Sequence, residues 1–171
     1  AQEPALVAAP STRAITVVNL APPRGVQGPT PATISVNYGQ PHLRGRTLHT
    51  GNLVPLDSVW RFGANTSTTF ETGVDLTVGG HHVPAGKYSL YALPTTAGWS
   101  LIVNRNTGQW GTEYDATHDL ARIPLQRTTL DDPIDSFTVW LIPKSPQTGA
   151  ASGELRFAWG TNLLSTSWSV R

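Results

Sequence analysis

The sequence predicts an all-β protein: a mostly antiparallel β-sandwich, or flattened barrel, with an extended, proline-rich N-terminal arm. Short runs of alternating apolar and polar residues are separated by clusters of Gly, Pro, Asn and Asp, which is the pattern of antiparallel strands and turns. The composition agrees, because 16 Gly and 14 Pro with only 13% charged residues favour strands and loops over solvated helices. A chain of 171 residues is also long enough to bury one continuous core.

Residues 1–31 form the predicted arm, in which six prolines flank one strand pattern, Ala14 to Leu20. Proline fixes φ and lacks an amide donor, so the flanking segments should be extended and partly exposed. The strand either joins the domain's own sheet as an edge strand or lies on a neighbouring protein, and both can hold together. The apolar side chains that would contact such a neighbour are Leu6, Val7, Ile15 and Val17.

Residues 32–171 form the predicted single sandwich domain, where the apolar pattern has period two. The alternating runs are 34–38, 74–78, 88–93, 99–103, 137–141, 155–159 and 164–170. The segment from Val139 to Ile142 is apolar on both faces, which predicts a central strand covered on each side. Only the segment from Glu113 to Ala121 could hold a helical turn or two.

Charge and hydropathy exclude two classes of partner. The net charge is +1 and no run of basic residues forms a patch, so we expect no binding to nucleic acid. No apolar run approaches the roughly 20 residues that cross a bilayer, so we expect no membrane span of its own.

The first residues carry an expectation about location. The sequence opens with Ala1-Gln2-Glu3 rather than Met, as expected of a mature chain after removal of a signal peptide. We therefore expect a bacterial periplasmic or extracellular protein, the alternative being a chain shortened at its N-terminus. The absence of cysteine is neutral on this point, and it removes the means of lipid attachment at the first residue.

Arg61 is the first candidate binding residue, within the sequence Trp60-Arg61-Phe62-Gly63-Ala64-Asn65. In one interpretation Arg61 holds a carboxylate or phosphate, with Asn65 as a second donor. In the other, Arg61 pairs with an internal acid such as Glu71 or Asp119 and bonds to loop carbonyls, and Asn65 adopts a left-handed turn. We favour the second, because Gly and Asn beside an arginine are typical of a strand end.

Trp110 is the second candidate, since it lies between Gly108-Gln109 and Gly111. It is either a plug over one end of the sandwich or an exposed contact residue, and we favour the plug because burying an indole stabilises by a few kcal/mol. Most of the other tryptophans follow the apolar alternation of their strands, which predicts core positions. A row of exposed tryptophans would instead favour carbohydrate binding.

Three residues are weak candidates for a metal site. Asp115, His118 and Asp119 would share one side of a helix, and oxygen-rich clusters of this kind can hold Ca²⁺. The glycine of an EF-hand loop is missing, however, and Asp115 could equally cap the turn. His81-His82 would point to opposite faces of a strand, so we interpret them as solvated histidines in an exposed turn. We expect no metal and no cofactor.

Signatures of catalysis are missing from the sequence. It has no Cys, no Gly-x-Ser-x-Gly and no phosphate-binding glycine loop. A Ser–His–Asp triad is recognised by geometry, so the sequence leaves that possibility open. We expect a domain that is not an enzyme; the rival is a weak hydrolase with a cleft near Arg61, Asn65 and Asp119.

Several motifs in order carry a resemblance to one family. They are YGQPHLRGR (38–46), LVP (53–55), VWRFGAN (59–65), TTFET (68–72), the hairpin GG–xx–VPAGKYSL (79–90), GQWG (108–111) and YDATHDLAR (114–122). With these motifs the chain resembles an uncharacterised bacterial family of secreted domains, domain of unknown function 2911. It departs from the family at Gln40, where Arg is common, and at His81-His82, where Lys is common.

The resemblance implies an envelope-side, β-rich domain and supplies no catalytic residues. Together with the arm, it leads us to expect a non-catalytic extracytoplasmic interaction module. Such a module would be an accessory or structural subunit docked on other proteins of a membrane-associated complex. The alternative is a sandwich that binds carbohydrate or another small ligand.

Overall fold

The computed structural model describes residues 1–49, 53–145 and 149–171. It confirms the all-β prediction: two antiparallel sheets face each other, and they do not close into a barrel. Among the described residues the one helical element is a 3₁₀ turn, Ala116–His118. None of the described helical residues forms a helix long and apolar enough to cross a membrane.

The strands are numbered along the chain. In spatial order, the larger sheet contains β1 (Arg13–Leu20), β2 (Ala32–Gly39), β3 (Thr68–Thr72), β6 (Gly86–Thr95), β7 (Gly98–Asn104) and β8 (Asp119–Pro124). The smaller sheet contains, in order, β5 (His81–Val83), β4 (Leu76–Val78), β10 (Ser152–Val170) and β9 (Gln126–Pro143).

Aromatic side chains fill the space between the sheets. Trp60 stacks on Trp159 with ring centroids 5.6 Å apart, and Phe62 meets Phe157 edge-on at 4.5 Å. Phe137 contacts Trp60 and Phe62, also in edge-on geometry. Such pairs add to the stabilisation that burial of the rings provides. One continuous core follows from this packing.

The predicted central strand at Val139 to Ile142 is wrong. These residues belong to β9, an edge strand whose one neighbour among the described strands is β10, with an isolated bridge from Ser136 to His42 on its other side. Val139 and Leu141 are buried, whereas Ile142 on the alternate face is exposed. The segment buried on both faces is in β6, where residues 88–92 are all buried between β3 and β7.

The strand predicted within the arm joins the domain's own sheet. β1 pairs antiparallel with β2, from Arg13 opposite Gly39 to Leu20 opposite Ala32. This confirms the edge-strand alternative for Ala14 to Leu20. Residues 1–10 lie outside both sheets, and Leu6 and Val7 are fully exposed.

The segment from Glu113 to Ala121 contains one short helical turn, at the lower end of the turn or two that the sequence allows. Its helical part is limited to the 3₁₀ turn, and Asp119 already begins β8. Asp115 caps this turn: its carboxylate accepts from the Thr117 amide at 2.9 Å and from the Thr117 hydroxyl at 2.7 Å. The capping alternative for Asp115 is therefore confirmed.

The Trp60–Ser67 segment connects the core to the surface through an unusual backbone path. Trp60 bridges Ala92 of β6, after which Phe62, Gly63 and Asn65 adopt φ values of 51°, 145° and 63°. The predicted left-handed turn at Asn65 is confirmed. Positive φ is uncommon for a bulky residue such as Phe62, and its buried ring contacts hold it there. Trp60 and Phe62 are buried in the core, whereas Arg61 between them is only partly buried.

Candidate functional site

A cleft of about 870 Å³ opens beside the Trp60–Ser67 segment. Three stretches of chain line it: residues 45–47, residues 53–61 and residues 111–114, together with Tyr91 of β6. The lining residues are Gly45, Arg46, Thr47, Leu53, Pro55, Val59, Trp60, Arg61, Tyr91, Gly111, Thr112 and Tyr114. Among them Arg61 is the residue singled out from the sequence.

Arg61 lacks the internal partner that we expected. Its guanidinium makes no hydrogen bond or ion pair with any residue in 1–49, 53–145 or 149–171, although the side chain is partly buried. Glu71 instead lies in β3 opposite Lys87 of β6, and Asp119 is bound by other groups. The favoured interpretation, an ion pair to Glu71 or Asp119, is therefore wrong.

Gly111 gives Arg61 the room to occupy this position. A Cβ at residue 111 would lie 2.9 Å from Arg61 Cδ and 2.7 Å from the Asn65 carbonyl oxygen. The same carbonyl accepts the Gly111 amide at 2.8 Å, so the two stretches of chain touch through their backbones. In the sequence, Gly111 stands out only as a neighbour of Trp110. The close approach of Arg61 and of the Asn65 carbonyl to its Cα explains why glycine suits this position.

Arg46 adds a second positive charge to the cleft. Its guanidinium donates to the carbonyl oxygens of Leu43 and His42, both at 2.8 Å, which fixes the side chain while leaving its charge unneutralised. No Asp or Glu is found among the described lining residues. The cleft wall therefore carries two cations and no anion.

Tyr91 and Tyr114 form one aromatic wall of the cleft, with ring centroids 4.8 Å apart. The Tyr114 hydroxyl donates to Asp119 at 2.6 Å and accepts from Arg122 at 2.8 Å. Burial, followed by the hydrogen bond to Asp119, raises the pKa of Tyr114 to about 12. Burial also raises the pKa of Tyr91. Both phenols therefore stay neutral at physiological pH and add no negative charge.

Asp119 lies behind Tyr114, and its carboxylate is already engaged. It accepts from Asn104 at 3.0 Å and from Arg122 Nε at 3.0 Å, in addition to Tyr114. Of the three residues predicted to flank a cleft, Arg61 lines it, whereas Asn65 and Asp119 do not. Asn65 and Asp119 instead bond to the lining residues Gly111 and Tyr114.

Trp110 is not the plug that we favoured. Its residue exposure is 50%, and the residue forms an isolated bridge with Thr66. Trp110 is exposed, whereas the neighbouring Gln109 is partly buried and donates to the Tyr91 hydroxyl at 2.8 Å. Trp60, Trp99, Trp159 and Trp168 are buried, as the alternation predicts.

The weak metal candidates do not converge. His118 Nε2 lies 3.6 Å from Asp115, but Asp119 is turned into its bonds with Asn104 and Tyr114. Within the described ranges no group of three His, Asp or Glu side chains could hold a metal ion. His81 and His82 are exposed, in agreement with our interpretation, although they lie in β5 rather than in a turn.

The four predicted docking residues are all exposed. Leu6 and Val7 lie on the N-terminal residues outside the sheets, while Ile15 and Val17 are 59% and 45% exposed on the outer face of β1. The alternate residues of β1 face the other sheet, where the Thr16 hydroxyl accepts the Leu141 amide at 3.2 Å. Ile15 and Val17 therefore have no place in the core.

Comparison with known proteins finds one family. Residues 25–167 match the family described as "Protein of unknown function (DUF2911)". No curated protein and no solved structure matches the chain.

Proposed function

The chain belongs to the DUF2911 family, and from this premise we propose that it is a non-catalytic interaction module that docks on another protein through β1 and the residues before it. The partner is expected to be a component of a larger membrane-associated assembly. We further propose the extracytoplasmic location that the sequence leads us to expect. The observation that carries the proposal is the free edge of β1.

Among the described strands, three of the four sheet edges have features that discourage pairing. β5 has only three residues, and β8 contains Arg122 and ends at Pro124. β9 has irregular pairing and is covered where Tyr38 and Thr16 accept its amides. Short strands, charges, prolines and coverage are the usual means by which proteins protect sheet edges.

β1 has none of these features between Ala14 and Leu20. The stretch contains no charge, no proline and no bulge. Gln40 donates its amide to the Thr12 carbonyl, and paired residues alternate along antiparallel strands. The backbone groups of Ile15, Val17 and Asn19 therefore point away from β2, toward the free edge. An extended segment of a partner can add there as a seventh strand.

The exposed apolar side chains fit the same surface. Ile15 and Val17 would contact side chains of the added strand on the outer face, as cross-strand neighbours do. Leu6 and Val7 precede β1 and would extend the contact along the partner. The weak hydrolase alternative has less support, because the Asp119 carboxylate is already engaged by three donors.

The proposal is tested by extracting native membranes with mild detergent and identifying what co-purifies with the full chain. The deletion should remove residues 1–9 only, because Pro10, Ser11 and Arg13 all bond to the domain. Val17→Pro removes one outward amide without removing a β1–β2 hydrogen bond, and Val17→Thr is its matched control.

We expect a defined partner with the wild-type chain and with Val17→Thr. We expect its loss with Val17→Pro and weaker retention after the deletion, and bound partner should slow hydrogen exchange at Ile15, Val17 and Asn19. A chain that behaves as a free monomer under all conditions would contradict docking. Recovery from the cytoplasmic fraction would contradict the proposed location.

A further inference from the structure

We propose that the cleft beside Arg61 binds a small organic anion, whose carboxylate or phosphate group contacts the Arg61 guanidinium. The apolar part of the ligand would lie against the cleft wall. This site uses residues different from those of the β1 edge, so it does not depend on docking.

The first argument compares the burial and hydrogen bonding of the Arg61 side chain with those of the other arginines. The other arginines whose side chains make no hydrogen bond with the described residues are exposed to solvent: Arg24, Arg127 and Arg171. Arg61 differs because its side chain is partly buried and still has no partner among the described residues. A guanidinium presents five donors in a fixed fork that matches an oxyanion in bidentate geometry. Its free donors in a concave site are therefore ready to bind one.

The second argument is the sign of the charge around Arg61. Arg46 lines the same cleft, and its two bonds to backbone carbonyls hold it without neutralising it. Tyr114 remains neutral because its pKa is raised to about 12. Behind that wall, the Asp119 carboxylate is paired with Arg122 at 3.0 Å. Glu113 acts electrostatically on Tyr91 but does not line the cleft. An anion entering the cleft thus meets two cations and no like charge among the described lining residues.

The third argument is size and lining. A volume of about 870 Å³ lies within the roughly 300–1,000 Å³ typical of small-molecule sites. Leu53, Pro55 and Val59 supply apolar surface, and Thr47 and Thr112 also line the cleft. This combination suits a ligand with an apolar body and one charged end better than it suits a bare inorganic ion.

The experiment is a titration of the full chain with each of four probes, in which binding is detected by nuclear magnetic resonance. Benzoate and phenyl phosphate carry the two candidate oxyanions on one apolar body. Benzyl alcohol is their neutral counterpart, and inorganic phosphate lacks the apolar body. The variants are Arg61→Gln and Arg61→Lys, with Arg24→Gln as a charge-matched control at an exposed position.

We expect one or both organic anions to bind the wild-type chain and Arg24→Gln equally. Arg61→Gln should weaken binding by roughly tenfold or more, as loss of a charge-assisted hydrogen bond predicts. Arg61→Lys should show an intermediate affinity, because it keeps the charge and loses the fork. Benzyl alcohol and inorganic phosphate should bind more weakly than the organic anions.

The relative affinity for benzoate and phenyl phosphate then identifies the preferred oxyanion. Three results would overturn the proposal: binding of neither organic anion at millimolar concentration, equal binding of benzyl alcohol, or equal losses in Arg61→Gln and Arg24→Gln. Because Arg61 bonds to no described residue, the variants should fold, and a thermal unfolding curve of each confirms this.

Discussion

Arg13 binds the Trp60–Ser67 segment from β1, whereas Arg61 is part of that segment. The two guanidinium groups have opposite surroundings. Arg13 donates to the carbonyl oxygens of Ala64, Thr66 and Ser67, and also to the side chain and carbonyl of Asn37. Arg61 lies within the same segment and bonds to no described residue. One arginine fastens the segment to β1 and β2, while the other faces the cleft.

The difference shows that the role of an arginine near this segment depends on which acceptors surround its guanidinium, and cannot be inferred from the residue type alone. An arginine saturated by backbone carbonyls holds the fold, because removing it leaves those acceptors without their donor. An arginine that is partly buried without acceptors adds little to stability and is available to a ligand. Mutations on each side of the segment should therefore separate stability from binding.

Gly39→Ala is expected to have the largest effect. Its added Cβ would lie 2.1 Å from the Ala64 carbonyl oxygen, so the Trp60–Ser67 segment would have to move away from β2. The free energy of unfolding should fall by about 3 kcal/mol, as for other overpacked sites. Urea denaturation measures this, with Thr33→Ala on the same strand as control. A loss no greater than that of the control would show that the segment is not fixed here.

The matched pair Arg13→Met and Arg61→Met tests the comparison itself. Arg13→Met should lower the free energy of unfolding by about 2 kcal/mol, because it removes charge-assisted bonds to several carbonyls. Arg61→Met should change it by less than about 0.5 kcal/mol, as at other surface positions without partners. Thermal and urea unfolding of both variants provide the measurement. Equal losses in the two variants would contradict the assigned roles.

Gly111→Ala should have a smaller effect on stability and a clear effect on the cleft. The new Cβ would press on Arg61 Cδ and on the Asn65 carbonyl, at 2.9 and 2.7 Å. We expect a loss of about 1 kcal/mol in stability, smaller than for Gly39→Ala, because the closest backbone contact would be 2.7 Å rather than 2.1 Å. Affinity for the organic anion that binds best should fall as well. Unchanged affinity would mean that the position of Arg61 is not set by Gly111.

The smallest expected effect is the titration of Tyr114. Its pKa in the folded state is about 12, above its ordinary value of 10, so folding favours the neutral phenol. The stability that this provides is present below about pH 10 and is lost as the pH rises toward 12. Tyr114→Phe should therefore lose stability less steeply over that range. The measurement is the difference in phenolate absorbance between wild type and Tyr114→Phe as the pH is raised. We expect a midpoint near 12, and a midpoint near 10 would contradict the raised pKa of Tyr114.

The fold class and most strands could be predicted from the period-two alternation of apolar residues. The same pattern does not show whether a strand lies at the centre or at the edge of its sheet. Most core strands were predicted because one face of each is apolar, and β1 because its β-branched residues lie together between proline-rich flanks. Val139 to Ile142 was misplaced because apolar residues on both faces also occur in an edge strand whose outer face is only partly exposed. The alternation of apolar and polar residues shows which face of a strand is buried. It does not show which strands lie beside it.

The cleft could be predicted only in part. Arg61 stood out in the sequence, but its partner was wrongly expected, because the sequence does not show that Glu71 lies opposite Lys87 or that Asp119 is already bound by other side chains. Tyr91, Tyr114 and Arg46 were missed since they are distant in sequence from Arg61. Trp110 was misjudged for a similar reason: its bridge to Thr66 determines which way it points.

The most direct test of the division between the two arginines is the ¹H–¹⁵N spectrum of their side chains as phenyl phosphate and benzoate are added. Without probe, the Arg13 Nε–H should exchange slowly with water, and the Arg61 Nε–H should exchange rapidly. With a binding probe, the Arg61 signal should shift and become protected while the Arg13 signal stays in place. Slow exchange at Arg61 before any probe is added, or a shift at Arg13 with none at Arg61, would contradict the assignment.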